Sequence, residues 1–125
     1  IGRIFSTANQ NQKKNYLVPD LNKKIKESKR KITLYNLNHY RDFISMKNIS
    51  KIIIYFYKKK IKGIINIASG KKIYLKDIAL CISNFYKKDI IFKDNIKPTY
   101  LIANVDKLKK IYKKNISINL NEFIF

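Results

Sequence analysis

Gly63–Tyr86 reads GIINIASGKKIYLKDIALCISNFY, and this stretch decides the fold. A short branched apolar run, Ile64, Ile65 and Ile67, ends in Ala68-Ser69-Gly70. After a basic loop the period changes. Leu75, Ile78, Ala79, Ile82 and Phe85 recur at three- and four-residue steps, the spacing of one helix face. Strand, small-residue turn and amphipathic helix make one half of a layered α/β unit.

Working toward the N-terminus, Asn48 is the expected cap of a helix whose apolar face holds Ile49, Ile52, Ile53, Phe56 and Tyr57. Lys58-Lys59-Lys60 closes that helix, where positive charge suits the dipole. Before it, Lys31–Tyr35 and Tyr40–Met46 read as strands, separated by the turn Asn36-Leu37-Asn38-His39. In the second strand Phe43 and Ser45 face away from Ile44 and Met46. Leu17, Val18, Leu21 and Ile25 predict a short helix with Pro19 in its first turn. Ser6–Asn15 is a polar loop rich in Asn and Gln. Ile1–Phe5 is a strand that starts abruptly, so the chain reads as cut from a longer one.

Toward the C-terminus, Ile90–Phe92 is expected as a strand and Asp94–Thr99 as a loop around Pro98. Tyr100–Ala103 is a brief extended piece. Val105, Leu108, Ile111 and Tyr112 mark a helix begun by Asn104 or Asp106. Ile116–Phe125 runs extended into a last turn or helix around Leu120–Phe125. No linker or repeat divides these pieces, and one domain is expected.

The 125 residues are 46% hydrophobic, enough for a core and unlike a disordered basic tail. The 28 Lys and Arg against 8 Asp and Glu give a formal charge of +20, which first suggests nucleic acid or an anionic membrane. Only Arg3, Arg30 and Arg41 are arginines, however, and the lysines are dispersed, so the bias is compositional and no specific nucleic-acid partner is expected. Apolar runs are too short to span a membrane, and no signal peptide opens the chain. A reducing, cytoplasmic setting follows. Cys81, the lone cysteine, is read as a small buried hydrophobe, and His39, the lone histidine, as neither catalytic nor a metal ligand.

Chemistry-bearing signals are few. The glycines are Gly2, Gly63 and Gly70, so no glycine-rich phosphate loop exists. No acid/base pair stands out. Arg41-Asp42, between a polar turn and an apolar strand, is the sharpest candidate, since a guanidinium fork can clamp a diphosphate. The competing reading pairs Arg41 with Asp42 or another surface carboxylate. Ser69-Gly70 can bring backbone close to a ligand or form a plain left-handed turn. Tyr74, Tyr100 and Asn104 are weaker candidates. The Asn9–Asn15 tract can line a sugar site or be solvated loop.

The segments GRIF, YLVPDL, YRDFISMKNISKII, GIINIASG with YLKDIA, and NVDKLKKIYK occur in a familiar order and spacing. Over nearly the whole chain they resemble the C-terminal portion of extended short-chain dehydrogenases, the NAD-dependent sugar-nucleotide epimerase/dehydratase family. The most specific piece is Arg41-Asp42-Phe43-Ile44 followed by Asn66-Ile67-Ala68-Ser69-Gly70. The resemblance implies an α/β fold: C-terminal strands of a Rossmann-like sheet plus the small mixed α/β substrate-binding lobe. It also implies that NAD or NADP, the glycine fingerprint and the Ser/Thr–Tyr–Lys set belong to a missing N-terminal part or split subunit. In that chemistry a tyrosinate removes a sugar hydroxyl proton while nicotinamide accepts hydride.

By the same resemblance, Arg41 holds the diphosphate of a nucleotide-sugar and Asp42 supports its strand. Ser6 stands where an asparagine often touches substrate, and Asn9 and Gln10 border sugar and nucleotide in place of a glycine-proline turn. Asn48, Ser69, Gly70 and Asp106 are assigned structural roles. Asn48 replaces a customary aspartate, and a second phosphate-binding arginine is missing, with Lys97 or a neighbouring lysine as its stand-in. The chain would bind and orient substrate without being catalytic alone, in an enzyme of polysaccharide biosynthesis that can form a homodimer. The alternatives are a basic nucleic-acid or polyphosphate-binding module and an inactive structural remnant.

Overall fold

A computed structural model describes residues 1–125. It contains the α/β arrangement expected of the sequence, as three small sheets flanked by helices. Strand β1 (Gly2–Ile4) lies parallel to β4 (Ile65–Ile67), with Ile4 opposite Ile67. Strand β2 (Lys31–Tyr35) lies parallel to β6 (Asp89–Lys93), with Leu34 opposite Phe92. The third sheet has β3 (Tyr40–Arg41) at its centre, antiparallel to β5 (Ile73–Tyr74) and parallel to β7 (Tyr100–Leu101). The helices are α1 (Leu17–Glu27), α2 (Met46–Lys58), α3 (Leu75–Tyr86) and α4 (Asp106–Ile111). A 3₁₀ turn follows at Leu120–Phe123. No helix is long and apolar enough to cross a membrane.

Two hydrophobic clusters form, and the sequence neighbours Phe43 and Ile44 belong one to each. Phe43 packs with Val18, Leu21 and Ile25 of α1 and with Ile78, Ala79 and Ile82 of α3. Ile44 packs with Ile49 and Ile52 of α2, Ile65 and Ile67 of β4, and Leu108 near the C-terminus. Neighbouring residues of an extended chain point to opposite faces, so Phe43-Ile44 is apolar without alternating. Asn22, buried in α1, donates Nδ2 to the Phe123 carbonyl at 2.6 Å and accepts from the Phe125 N–H at 3.0 Å, fixing the C-terminus to the first cluster.

Several expectations need correction. The strand Tyr40–Met46 shrinks to Tyr40–Arg41, because Phe43 makes only a single bridge to Ser6 and helix α2 already starts at Met46. The cap of α2 is Ser45, whose Oγ accepts the Asn48 N–H at 3.3 Å; Asn48 itself donates Nδ2 to the Ser117 carbonyl. The apolar face of α2 is also rotated. Tyr57 is 85% exposed and Ile53 is exposed, while Tyr55 turns inward to pack edge-on against Tyr112 and donate to the Ile111 carbonyl. In α3, Phe85 is exposed and Tyr86 takes the inward place. Cys81 is only half-buried, and its thiol donates to Asn121 Oδ1 at 3.4 Å.

The third sheet stacks three tyrosines. Tyr40 lies 4.6 Å from Tyr74 and 4.8 Å from Tyr100, ring centre to ring centre, with Lys72 Nζ 4.6 Å from two of the rings. Burial pushes the Tyr40 phenol up, and the neighbouring Tyr100, Tyr74 and Asp77 add to it. The Lys76 ammonium is also pushed up, chiefly by its hydrogen bond to Asp94. Both groups hold their protons more firmly folded than unfolded. Their stabilisation is therefore complete below the unfolded values of 10.0 and 10.5 and is lost as pH rises through the folded ones. Urea denaturation of wild type and Tyr40→Phe should give parallel stabilities up to about pH 9.5 and then diverge, wild type losing more. Curves that stay parallel beyond that point would remove Tyr40 from the account.

Candidate functional site

Arg41 is set beside the Ser6 turn by backbone pairing. After β1 the chain continues with the Phe5 N–H bonded to the Ile67 carbonyl, and the Ile44 N–H reaches the Ser6 carbonyl at 2.9 Å. Ser6 therefore runs alongside Phe43, two residues from Arg41. Between this pair of strands and the start of α1 lies a cavity of about 560 Å³. Ser6, Thr7, Gln12, Tyr16 and Arg41 line it, with Phe5, Leu17, Val18 and Phe43 as its apolar wall. Apolar walls with a few convergent polar groups are the usual make-up of a small-molecule site.

The guanidinium of Arg41 pairs with no carboxylate, contrary to the surface-pair reading. Its Nη1 donates to the Tyr40 carbonyl at 2.8 Å, the Thr99 carbonyl at 3.2 Å and Thr99 Oγ1 at 3.0 Å. All three acceptors are neutral. Nε and Nη2 donate to nothing in the chain, so the edge that can grip two oxygens side by side is free.

Asp42 turns the other way and is wholly buried. Oδ1 accepts from the Ser69 N–H at 2.9 Å and the Ser69 hydroxyl at 2.6 Å. Oδ2 accepts from the N–H groups of Gly70 at 2.9 Å and Ala103 at 3.2 Å. The RDF segment thus sends Arg41 to the cavity and Asp42 into a junction that joins the turn after β4 to the chain after β7.

The remaining sequence candidates fall into separate places. Asn9 accepts the Asn11 N–H through Oδ1 at 2.6 Å, folding its own turn, and Gln10 is exposed; neither lines the cavity. Gln12 does line it, held by donation from Nε2 to the Thr7 carbonyl at 3.2 Å. Ser69 and Gly70 border a different cavity of about 450 Å³, with Lys71, Lys109, Lys113 and Lys114 around it. Asp106 begins α4 and is exposed, and its N–H donates to Asn104 Oδ1, so Asn104 shapes that helix start. Lys97 is exposed and outside the Arg41 cavity.

Two residues of the site were given no role from sequence. Tyr16 only opens the YLVPDL segment and Thr7 lies in the polar loop, and Thr7 Oγ1 is buried without a hydrogen-bond partner. His39 is a buried histidine whose Nδ1 accepts the Thr99 N–H at 3.1 Å, a structural arrangement next to the site. Burial pushes the Cys81 thiol up, which lowers its thiolate fraction and its reactivity.

A larger groove of about 740 Å³ lies between β1, β4 and the end of α2, lined by Ile1, Ile4, Ile53, Tyr57 and Ile61. Its lining is mostly apolar, and its charged groups, Lys60 and Lys62, are exposed. The Arg41 cavity is the candidate site.

No protein-family model and no curated protein matches the chain. Solved structures do match. RMD from Pseudomonas aeruginosa complexed with NADPH superposes with a TM-score of 0.81 at 11% identity, covering 97% of this chain and 44% of that one. UDP-N-acetylglucosamine 4-epimerase from Bacillus cereus gives 0.75 at 24% identity, covering 95% and 40%. dTDP-glucose 4,6-dehydratase from Bacillus anthracis in complex with NAD gives 0.76 at 17% identity, covering 97% and 40%. The chain spans about two fifths of the length of these structures. At such identities the likeness is one of fold: strands of a Rossmann-like sheet joined to a small mixed α/β lobe, as in part of each of these enzymes.

Proposed function

We propose that these 125 residues form the substrate-binding part of an NAD(P)-dependent epimerase, dehydratase or reductase acting on a nucleotide-sugar in the cytoplasm. The observation that carries this reading is Arg41, charged, without a carboxylate partner, and presenting a free Nε–Nη2 edge beside a cavity. Two phosphate oxygens fit that edge. Ser6, Gln12 and Tyr16 supply hydrogen bonds for a sugar or base, and Leu17 and Val18 supply an apolar wall. Asn9 acts at a distance, through the turn that places Gln12, and Gln10 is an exposed residue of the same turn. The fold shared with the enzymes named above supports the same reading.

The residues present do not fit a dinucleotide. Helices α1, α2, α3 and α4 follow Tyr16, Ser45, Tyr74 and Val105, and none of these is a glycine. The close approach of a dinucleotide's pyrophosphate at the first helix of a Rossmann unit uses glycines there. The cofactor and the acid/base residues are therefore assigned to polypeptide outside these residues, contiguous with them or on a split subunit. What this portion contributes is ground-state binding and orientation.

Isothermal titration of the full natural polypeptide with UDP-N-acetylglucosamine, UDP-glucuronic acid and dTDP-glucose tests the proposal. Saturable binding of one of them is expected, and Arg41→Ala should weaken it by about 1.5–3 kcal/mol, the cost of a lost charged hydrogen bond. Unchanged affinity in that variant would sink the assignment. Binding of duplex DNA that falls steeply between 50 and ~200 mM salt, with no nucleotide-sugar binding, would favour the basic module instead.

A further inference from the structure

We infer that Thr99, held by His39, is a positioning residue that aims Arg41 at its ligand; the inference rests on the diphosphate reading above. Three contacts make the case. The Thr99 N–H donates to His39 Nδ1 at 3.1 Å, and Thr99 Oγ1 lies 3.0 Å from the same nitrogen. One ring nitrogen that accepts a backbone N–H carries no proton of its own, so the Thr99 hydroxyl donates to it as well. The hydroxyl lone pairs are then turned outward, and Arg41 Nη1 donates to them at 3.0 Å.

His39 thereby fixes the direction of a hydroxyl that has no other partner but the guanidinium. His39 itself is buried, and its carbonyl accepts the Leu75 N–H at the start of α3, so the ring's base does not move. On the other side, the Tyr40 N–H is bonded to the Thr99 carbonyl at 2.8 Å, which ties Thr99 to β3 itself.

The consequence lies in which nitrogens remain. An arginine has five N–H donors. Both on Nη1 are used by Tyr40 and Thr99, and the three on Nε and Nη2 are left. A free arginine side chain samples many rotamers, and freezing it on binding costs affinity. Here the freezing is done before the ligand arrives. Thr99→Val keeps the shape and both backbone acceptors of Nη1 but removes the hydroxyl, so Arg41 loses one of its three anchors and is held less firmly while the fold is kept.

Two measurements on the full natural polypeptide test this. In titration with the nucleotide-sugar that wild type binds among the three named above, Thr99→Val should weaken affinity about tenfold and Thr99→Ser should restore it. Independently of any ligand, phenylglyoxal modification followed by peptide mapping reads Arg41 against the exposed Arg3 and Arg30. Thr99→Val should raise the Arg41 rate severalfold, and Thr99→Ser should not.

If Thr99→Val binds and reacts as wild type does, the positioning role is overturned while the diphosphate reading stands. If Arg41→Ala leaves affinity unchanged, or wild type binds none of the three probes, the diphosphate reading fails and takes this inference with it.

Discussion

Replacing Asp42 by alanine is expected to cost the fold about 3–5 kcal/mol, the largest single effect in the chain outside its deepest apolar positions. The carboxylate has about four acceptor sites, and four hydrogen bonds fill them: Ser69 N–H and hydroxyl on Oδ1, Gly70 and Ala103 N–H on Oδ2. Asp42 is 0% exposed, so water cannot replace what is lost. Removing the carboxylate strands three backbone N–H groups, each costing about 1–3 kcal/mol when unpaired, with some relief as the loops relax. The hydroxyl of Ser69 can rotate to another acceptor and adds less. Asp42→Asn keeps one oxygen and the volume but turns an NH₂ toward donors, so a smaller loss of about 2–3 kcal/mol is expected. Urea denaturation of the three proteins measures both. A loss below about 1 kcal/mol for Asp42→Ala would mean the junction is not what holds these loops.

Gly70→Ala is expected to cost about 2–5 kcal/mol, for two separable reasons. Gly70 sits at φ +69°, a left-handed conformation that a side chain makes unfavourable. A Cβ there would also lie 2.5 Å from Val105 Cγ2, and Val105 is packed in the second cluster. The two terms can be told apart by a double-mutant cycle with Val105→Ala. Val105→Ala alone leaves a cavity and destabilises by itself. In its presence the steric part of the Gly70→Ala cost disappears and only the backbone part, about 1–2 kcal/mol, remains. Strict additivity of the two substitutions would show that the overlap with Val105 is not the source of the cost.

Both residues belong to the motif that the sequence singled out, and their roles are of different legibility. Arg41 and Asp42 stood out as a charged pair between a polar turn and an apolar strand. Their adjacency suggested that they pair with each other. The structure separates them, since consecutive residues of β3 and its extension point to opposite faces, and apart from the neighbouring Tyr40 carbonyl each finds its partners more than two dozen residues away: Thr99 for Arg41, Ser69, Gly70 and Ala103 for Asp42. Local spacing carries no record of such partners. The same limit explains α2, whose apolar residues cover more of the helix than one face, so that the neighbour, Tyr112, chose between Tyr55 and Tyr57. Asn48 is a different case, a local one: Ser45, three residues earlier, caps the helix by accepting the Asn48 N–H, so Asn48 lies inside the first turn.

The order and type of the main elements are legible in the residues alone. The period of two or of 3.6 is a local property, and Leu21, Ile25, Ile78, Ala79 and Ile82 declare their buried faces through it. No glycine-rich loop occurs in these residues, and Arg41 stands out as the candidate to grip a diphosphate, since a guanidinium fork suits two oxygens. Which polar residues of the first loop reach the cavity, Ser6, Thr7 and Gln12 and not Asn9 or Gln10, is settled only by folding. Folding alone also sets Thr99 and His39 behind Arg41. Hydrophobic burial is set by what each residue is, whereas a hydrogen bond is set by where its partner comes to lie, and that position exists only once the chain has folded.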